Sequence, residues 1–102
     1  MEWPQNADAL MRSRYAAFVK QDEAWLLASW HPSTRPAQIA FDPGAKWLGL
    51  EVRDVQVVDG TRAVVEFVAR CRRPGGKATR LHERSRFVKE DGRWYYLEGD
   101  LL

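Results

Sequence analysis

Two glutamates in apolar, strand-like segments are the strongest candidates for chemistry in this sequence. Glu66 interrupts the run AVVEFVARC, and Glu83 precedes Ser85 and Phe87 at period-two spacing. A carboxyl group that faces an apolar cavity has a raised pKa because desolvation disfavours its charged form, and it can then act as a general acid or base. The simpler alternative, which we favour, is that each carboxylate pairs with an arginine. The candidate arginines are Arg12, Arg14 and Arg35.

Two histidines extend the acid–base hypothesis, since histidine titrates near neutrality and could exchange protons with a glutamate. His31 follows a predicted helix, where its ring could bind free carbonyl groups. His82 alternates with Arg84 and Arg86, which predicts that it faces solvent. We therefore favour structural roles for both histidines. Neither has the spacing of a metal motif, and Cys71 is the sole cysteine, so we predict no metal site and no cofactor.

The hydroxyl-bearing residues are weaker candidates. Ser33-Thr34-Arg35, between two prolines, could bind an anion through hydroxyls, amides and a guanidinium. A loop that folds back through side-chain-to-backbone hydrogen bonds uses the same residues, and we favour that interpretation. Ser85 lacks the G-x-S-x-G context of a nucleophile elbow, so we do not predict a nucleophilic serine.

Two helices are predicted before the loop that holds Ser33-Thr34-Arg35. Asn6 is a suitable N-cap for the first helix, whose apolar stripe contains Met11, Tyr15, Phe18 and Val19. Asp22 can cap a second helix that carries Trp25, Leu26, Leu27 and Trp30 and stops before Pro32. The segment from Ser33 to Lys46 is predicted to be a loop with one short strand near residues 38–41.

Four strands follow from Trp47 onward, and they predict an antiparallel meander. Asp91-Gly92 between two strand-like runs is a strong hairpin signal. A two-residue turn there sets Glu90 opposite Arg93, Phe87 opposite Tyr96 and Ser85 opposite Glu98. Strand alternation then places six residues on the face that packs against the helices. They are Glu83, Ser85, Phe87, Trp94, Tyr96 and Glu98.

Length and composition predict a single α+β domain over residues 1–102. The chain is 45% hydrophobic, has five tryptophans and carries a net charge of only +2, which is too small to indicate a nucleic-acid binder by itself. No recognised nucleic-acid motif accompanies the arginines. No segment has the length of a membrane span, and the N-terminal residues lack the apolar region of a signal peptide. We therefore expect a cytoplasmic protein that binds neither membrane nor nucleic acid.

Several segments together resemble the YchJ-like family of small bacterial proteins. They are ALMRSRYAAFV, WHPSTRP, WLGLEV, VEFVARC and LHERSRFVKEDGRWYYLEG, in this order along nearly the whole chain. The resemblance implies a nuclear transport factor 2-like (NTF2-like) fold, in which a curved sheet wraps against helices and forms a cone with a cavity. It supplies no catalytic residues. Many relatives carry a cysteine-rich, zinc-binding SEC-C motif that this sequence lacks, so we expect a shortened member or a fragment.

We therefore predict a binding module whose cavity holds a small molecule or meets a protein partner, without catalysis. The alternative is an acid–base enzyme (isomerase, dehydratase or hydrolase) that uses a cavity glutamate with a histidine. We also predict a homodimer through the exposed sheet face, with Arg84 and Arg86 near Glu51 or Asp54 of the second copy. The candidate cavity residues are Tyr15, Trp30, His31, Arg35, Glu66, Glu83, Ser85, Phe87 and Tyr96.

Overall fold

The computed structural model describes residues 2–102, which form two helices followed by four strands. The helices are α1 (Ala7–Lys20) and α2 (Glu23–Ala28). The strands are β1 (Lys46–Asp59), β2 (Arg62–Arg72), β3 (Ala78–Glu90) and β4 (Arg93–Leu101). All neighbouring strands pair antiparallel in the order β1-β2-β3-β4. The predicted α+β class and the meander are confirmed.

The predicted caps start both helices. The side chain of Asn6 accepts a hydrogen bond from the Ala9 amide (2.7 Å), and that of Asp22 accepts one from the Trp25 amide (3.1 Å). Each cap satisfies an amide that has no partner within the helix. Gln21, in a left-handed conformation (φ 57°), separates the two helices.

The second helix is shorter than its sequence predicts. It ends at Ala28, and Trp30 instead forms a parallel bridge with Tyr96 of β4. Two hydrogen bonds hold this bridge: the Tyr96 amide donates to the Ser29 carbonyl (2.9 Å), and the His31 amide donates to the Tyr96 carbonyl (2.8 Å). Pairing with the free edge of β4 replaces the last helical turn.

The prediction of a short strand near residues 38–41 is wrong, because these residues form no strand in the structure. The Ile39 amide donates to a carboxylate oxygen of Glu23 (2.9 Å). A side chain from α2 therefore satisfies the backbone where a strand would need a neighbouring strand.

One face of the sheet packs against α1 and forms the core. Alternate residues of β2 (Val65, Phe67 and Ala69) lie in one buried cluster with Leu10 and Phe87. Helix α1 reaches β1, β2 and β4, so it lies across the concave side of the sheet. We call this side the inner face and the opposite side the outer face.

The β3–β4 hairpin has the predicted turn but not the predicted register throughout. Glu90 pairs with Arg93 and Phe87 with Tyr96, as expected. A bulge then shifts the pairing, so Ser85 lies opposite Gly99 rather than Glu98. Glu98 moves to the outer face, where its carboxylate binds Arg86 (3.0 Å). Its assignment to the inner face is therefore wrong.

Candidate functional site

A pocket of about 270 Å³ lies between α1 and the inner face of the sheet. Most of its wall is aromatic or aliphatic, with a small number of charged and hydroxyl groups. This composition is typical of small-molecule sites, although the volume is at the low end for them. Six predicted residues line the pocket: Tyr15, Trp30, Glu83, Ser85, Phe87 and Tyr96.

Other lining residues were not among the candidates. Strand alternation could have found Phe67, Ala69 and Leu81, because they share the inner face with Phe87. Arg14 could have been found from its position four residues after Leu10 and three before Ala17, which are both buried. The helical period therefore places Arg14 on the buried side of α1.

Arg14 is a buried cation at one side of the pocket, only 6% exposed. Its Nη1 donates to the Leu26 carbonyl (2.8 Å) and to Oγ of Ser29 (2.6 Å). Its guanidinium carbon lies 4.5 Å from the ring centroid of Tyr96 and 5.2 Å from that of Trp30. Burial lowers the pKa of Arg14 to about 10, so it stays charged at neutral pH. This side chain therefore joins both helices to the edge of the sheet.

Glu83 reaches the same pocket from β3. Its carboxylate accepts a short hydrogen bond from the Ser85 hydroxyl. Gly99 of β4 lies directly beside it, and a Cβ at that position would approach Oε2 of Glu83 to 2.5 Å. A glycine therefore provides the space that this carboxylate occupies. Glu83 forms no salt bridge with any described residue, so the expected arginine partner is absent.

Tyr96 lies near both charged groups. Its ring packs against the guanidinium of Arg14, and it lines the pocket together with Glu83. Burial raises the pKa of Tyr96 to about 12, and the negative charge of Glu83 adds to this shift. The neutral phenol is therefore the form present at physiological pH, and it can both donate and accept a hydrogen bond.

Glu66 does not line the pocket, so its place among the cavity candidates is wrong. It lies on the outer face, where it pairs with His82 (2.8 Å) and Arg84 (3.3 Å). These partners, first the hydrogen bond from His82 and then that from Arg84, lower the pKa of Glu66. The favoured alternative, a carboxylate paired with an arginine, is confirmed for Glu66 with a different arginine from those expected.

His31 and Arg35 also lie outside the pocket, and both assignments to the cavity are wrong. The His31 ring binds Glu90 through Nε2 (2.7 Å), and Nε of Arg35 donates to the Trp30 carbonyl (3.0 Å). Thr34 donates through its hydroxyl to the Leu97 carbonyl (2.6 Å). These side chains attach the loop to the end of β3, to β4 and to itself, which confirms the fold-back interpretation of Ser33-Thr34-Arg35.

In the part of the chain that the structure describes, no histidine therefore meets a glutamate inside the pocket. Within residues 2–102, no group of three or more His, Cys, Asp or Glu side chains is arranged to hold a metal ion. Neither described helix has the length and hydropathy that a membrane span requires.

The helices, the curved sheet and the pocket between them define an NTF2-like domain. Residues 6–99 match the family model described as the middle NTF2-like domain of YchJ. The chain belongs to this YchJ-like family, which confirms the resemblance seen in the sequence.

Relatives and a solved structure support the same assignment. The chain is 63% identical over 95 residues to a UPF0225 protein of Polaromonas sp. strain JS666, covering 93% of this chain and 68% of the relative. It is 56% identical over 99 residues to a UPF0225 protein of Bordetella pertussis, covering 94% and 72%. It is also similar to the solution structure of a SEC-C motif containing protein from Rhodopseudomonas palustris. That similarity has a TM-score of 0.86 at 37% identity and covers 99% of this chain and 82% of the other.

Proposed function

We propose that this domain is a non-enzymatic binding module whose pocket holds a small, mainly apolar ligand. The observation that supports this most directly is the pocket itself, a space of about 270 Å³ lined by aromatic side chains on both walls. Filling such a space with an apolar ligand is favourable, because the ligand then forms the van der Waals contacts that the empty pocket wall lacks.

The acid–base alternative has less support. It needs a proton donor or acceptor beside Glu83, and the two histidines bind Glu66 and Glu90 instead. The hydroxyls of Ser85 and Tyr96 remain as neighbours of the pocket, and a raised phenol pKa makes Tyr96 a poor base at neutral pH. Binding without turnover is therefore the better proposal for this site.

Titration with ethylbenzene tests the proposal. The indole N–H resonances of Trp30 and Trp47 report on the pocket, because both side chains line it. We expect saturable shifts of these two signals. The indole signal of Trp3 should change less, since Trp3 packs against Trp25 and Tyr95.

A pocket-filling variant provides the matched control. Ala69 lines the pocket and is 2% exposed, so Ala69→Leu should occupy part of the space and abolish the ethylbenzene shifts. Ala37→Leu makes the same change in an exposed loop and should leave them intact. Equal shifts in both variants, or no shift in the unmodified chain, would reject the proposal.

A further inference from the structure

Arg14 has hydrogen-bonding capacity that the protein does not use. Both of its side-chain hydrogen bonds leave from Nη1, so Nε and Nη2 donate to no acceptor among the described residues. No carboxylate among the described residues forms a salt bridge with Arg14, although Arg14 is almost fully buried. A buried guanidinium with unused N–H groups at a pocket wall favours a ligand that carries an acceptor.

Glu83, which reaches the same pocket from β3, has the complementary capacity. Among residues 2–102, only the Ser85 hydroxyl donates to the Glu83 carboxylate, and that hydrogen bond uses Oε2. Oε1 accepts no hydrogen bond from the described side chains. An ionised carboxylate can accept several hydrogen bonds, so this oxygen favours a ligand with an N–H or O–H donor.

The two charges also restrict the net charge of a ligand. Arg14 and Glu83 line one pocket with opposite signs and without a salt bridge between them. An anion that approached Arg14 would be repelled by Glu83, and a cation that approached Glu83 would be repelled by Arg14. In a site with low dielectric both penalties are larger than in water.

We propose that the pocket selects a net-neutral ligand with an apolar ring and a polar end that offers an acceptor to Arg14 and a donor to Glu83. A primary carboxamide is the simplest group with both functions, because its carbonyl accepts while its NH₂ donates. This inference rests on the proposed binding function and adds the chemical class of the ligand.

Four probes of similar shape separate the effects of the acceptor, the donor and the net charge of the ligand. They are phenylacetamide, phenylacetate, phenethylamine and ethylbenzene. Dissociation constants come from the indole shifts of Trp30 and Trp47 at pH 7. We expect phenylacetamide to bind about tenfold more tightly than each of the other three, because it alone satisfies both groups without adding net charge.

A single variant tests the role of charge. Glu83→Gln removes the repulsion of anions while Arg14 keeps its positive charge, so phenylacetate should gain about tenfold in affinity. Glu66→Gln makes the same change on the outer face and should alter no dissociation constant. A gain of phenylacetate affinity in Glu66→Gln, or none in Glu83→Gln, would overturn the inference.

The outcomes distinguish this inference from the proposed function. If ethylbenzene binds in the pocket as tightly as phenylacetamide, the selection for a carboxamide is wrong and the apolar binding function stands. If no probe shifts either tryptophan, both proposals fail.

Discussion

The guanidinium carbon of Arg14 lies 4.5 Å from the ring centroid of Tyr96, so a buried cation from the first helix packs on the last strand. This contact joins elements at opposite ends of the chain. It also fixes the polar side of the pocket, since Arg14 is held by α2 as well. The pocket therefore depends on one side chain that reaches the helices and the sheet together.

Replacing Arg14 should destabilise the domain strongly. Arg14→Ala removes two hydrogen bonds and the packing on Tyr96 and Trp30, so we expect the free energy of unfolding to fall by about 2–4 kcal/mol. Arg12→Ala, which loses only an exposed contact with Asp8, should cost about 0.5 kcal/mol. Urea denaturation measures both. Equal losses in the two variants would contradict the role assigned to Arg14.

Glu83→Gln should leave stability nearly unchanged. Glu83 forms no salt bridge within the described part of the chain, and a glutamine oxygen can still accept from Ser85, so we expect a loss below about 1 kcal/mol. Ser85→Ala should cost more, about 1–3 kcal/mol, because it leaves the partly buried carboxylate without that donor. Thermal unfolding of both variants checks this order. A larger loss in Glu83→Gln than in Ser85→Ala would show that Glu83 has a structural partner we have not identified.

Tyr96 should make stability fall at high pH. Its pKa is 10.0 in the unfolded chain and about 12 in the folded one. Because the folded pKa is raised, the stability that the neutral phenol of Tyr96 contributes to the folded state is fully present below pH 10 and is lost as the pH rises toward 12. Unfolding free energies measured between pH 9 and pH 12 should therefore decline less steeply in Tyr96→Phe than in the unmodified chain. Tyr95→Phe is the control, and an identical change of slope in both variants would refute the assignment.

Homodimerisation through the outer face stays a prediction, with a change in the residues that would carry it. Arg84 and Arg86 bind Glu66, Glu98 and Asp100 of their own chain. Arg70 and Arg80 face each other across β2 and β3 and form no salt bridge among the described residues. We expect them to meet acidic side chains of a second copy, because like charges in register are unfavourable. Light scattering should report a dimer that Arg70→Glu weakens, and a monomer at high concentration would disprove it.

Local signals in the sequence predicted most of the fold. Asn6 and Asp22 start the helices because their side chains bind the first free amides. Asp91-Gly92 forms the hairpin because both residues adopt positive φ (52° and 79°). Alternation from Phe87 also placed Ser85 and Glu83 on the inner face, where the structure has them.

The failures come from interactions that no local pattern encodes. The bulge between Tyr96 and Glu98 moves Glu98 to the outer face, and nothing in the sequence of β4 marks it. Glu66 was misplaced because apolar residues occupy both faces of β2 around it, so alternation gives no clear signal there. Helical spacing from Leu10 places Arg14 on the buried side of α1, but its hydrogen bonds depend on acceptors at Leu26 and Ser29, which only the packing of α2 against α1 brings close.

Intermolecular nuclear Overhauser effects with bound ethylbenzene test the central claim most directly. If the pocket is the binding site, the ligand protons should show contacts with the methyl group of Met11 on α1, and with the methyl group of Ala69 and the ring of Phe87 on the sheet, because all three side chains line the pocket. Contacts confined to outer-face residues such as Val64 and Val68, or no contacts at saturating ethylbenzene, would contradict the account.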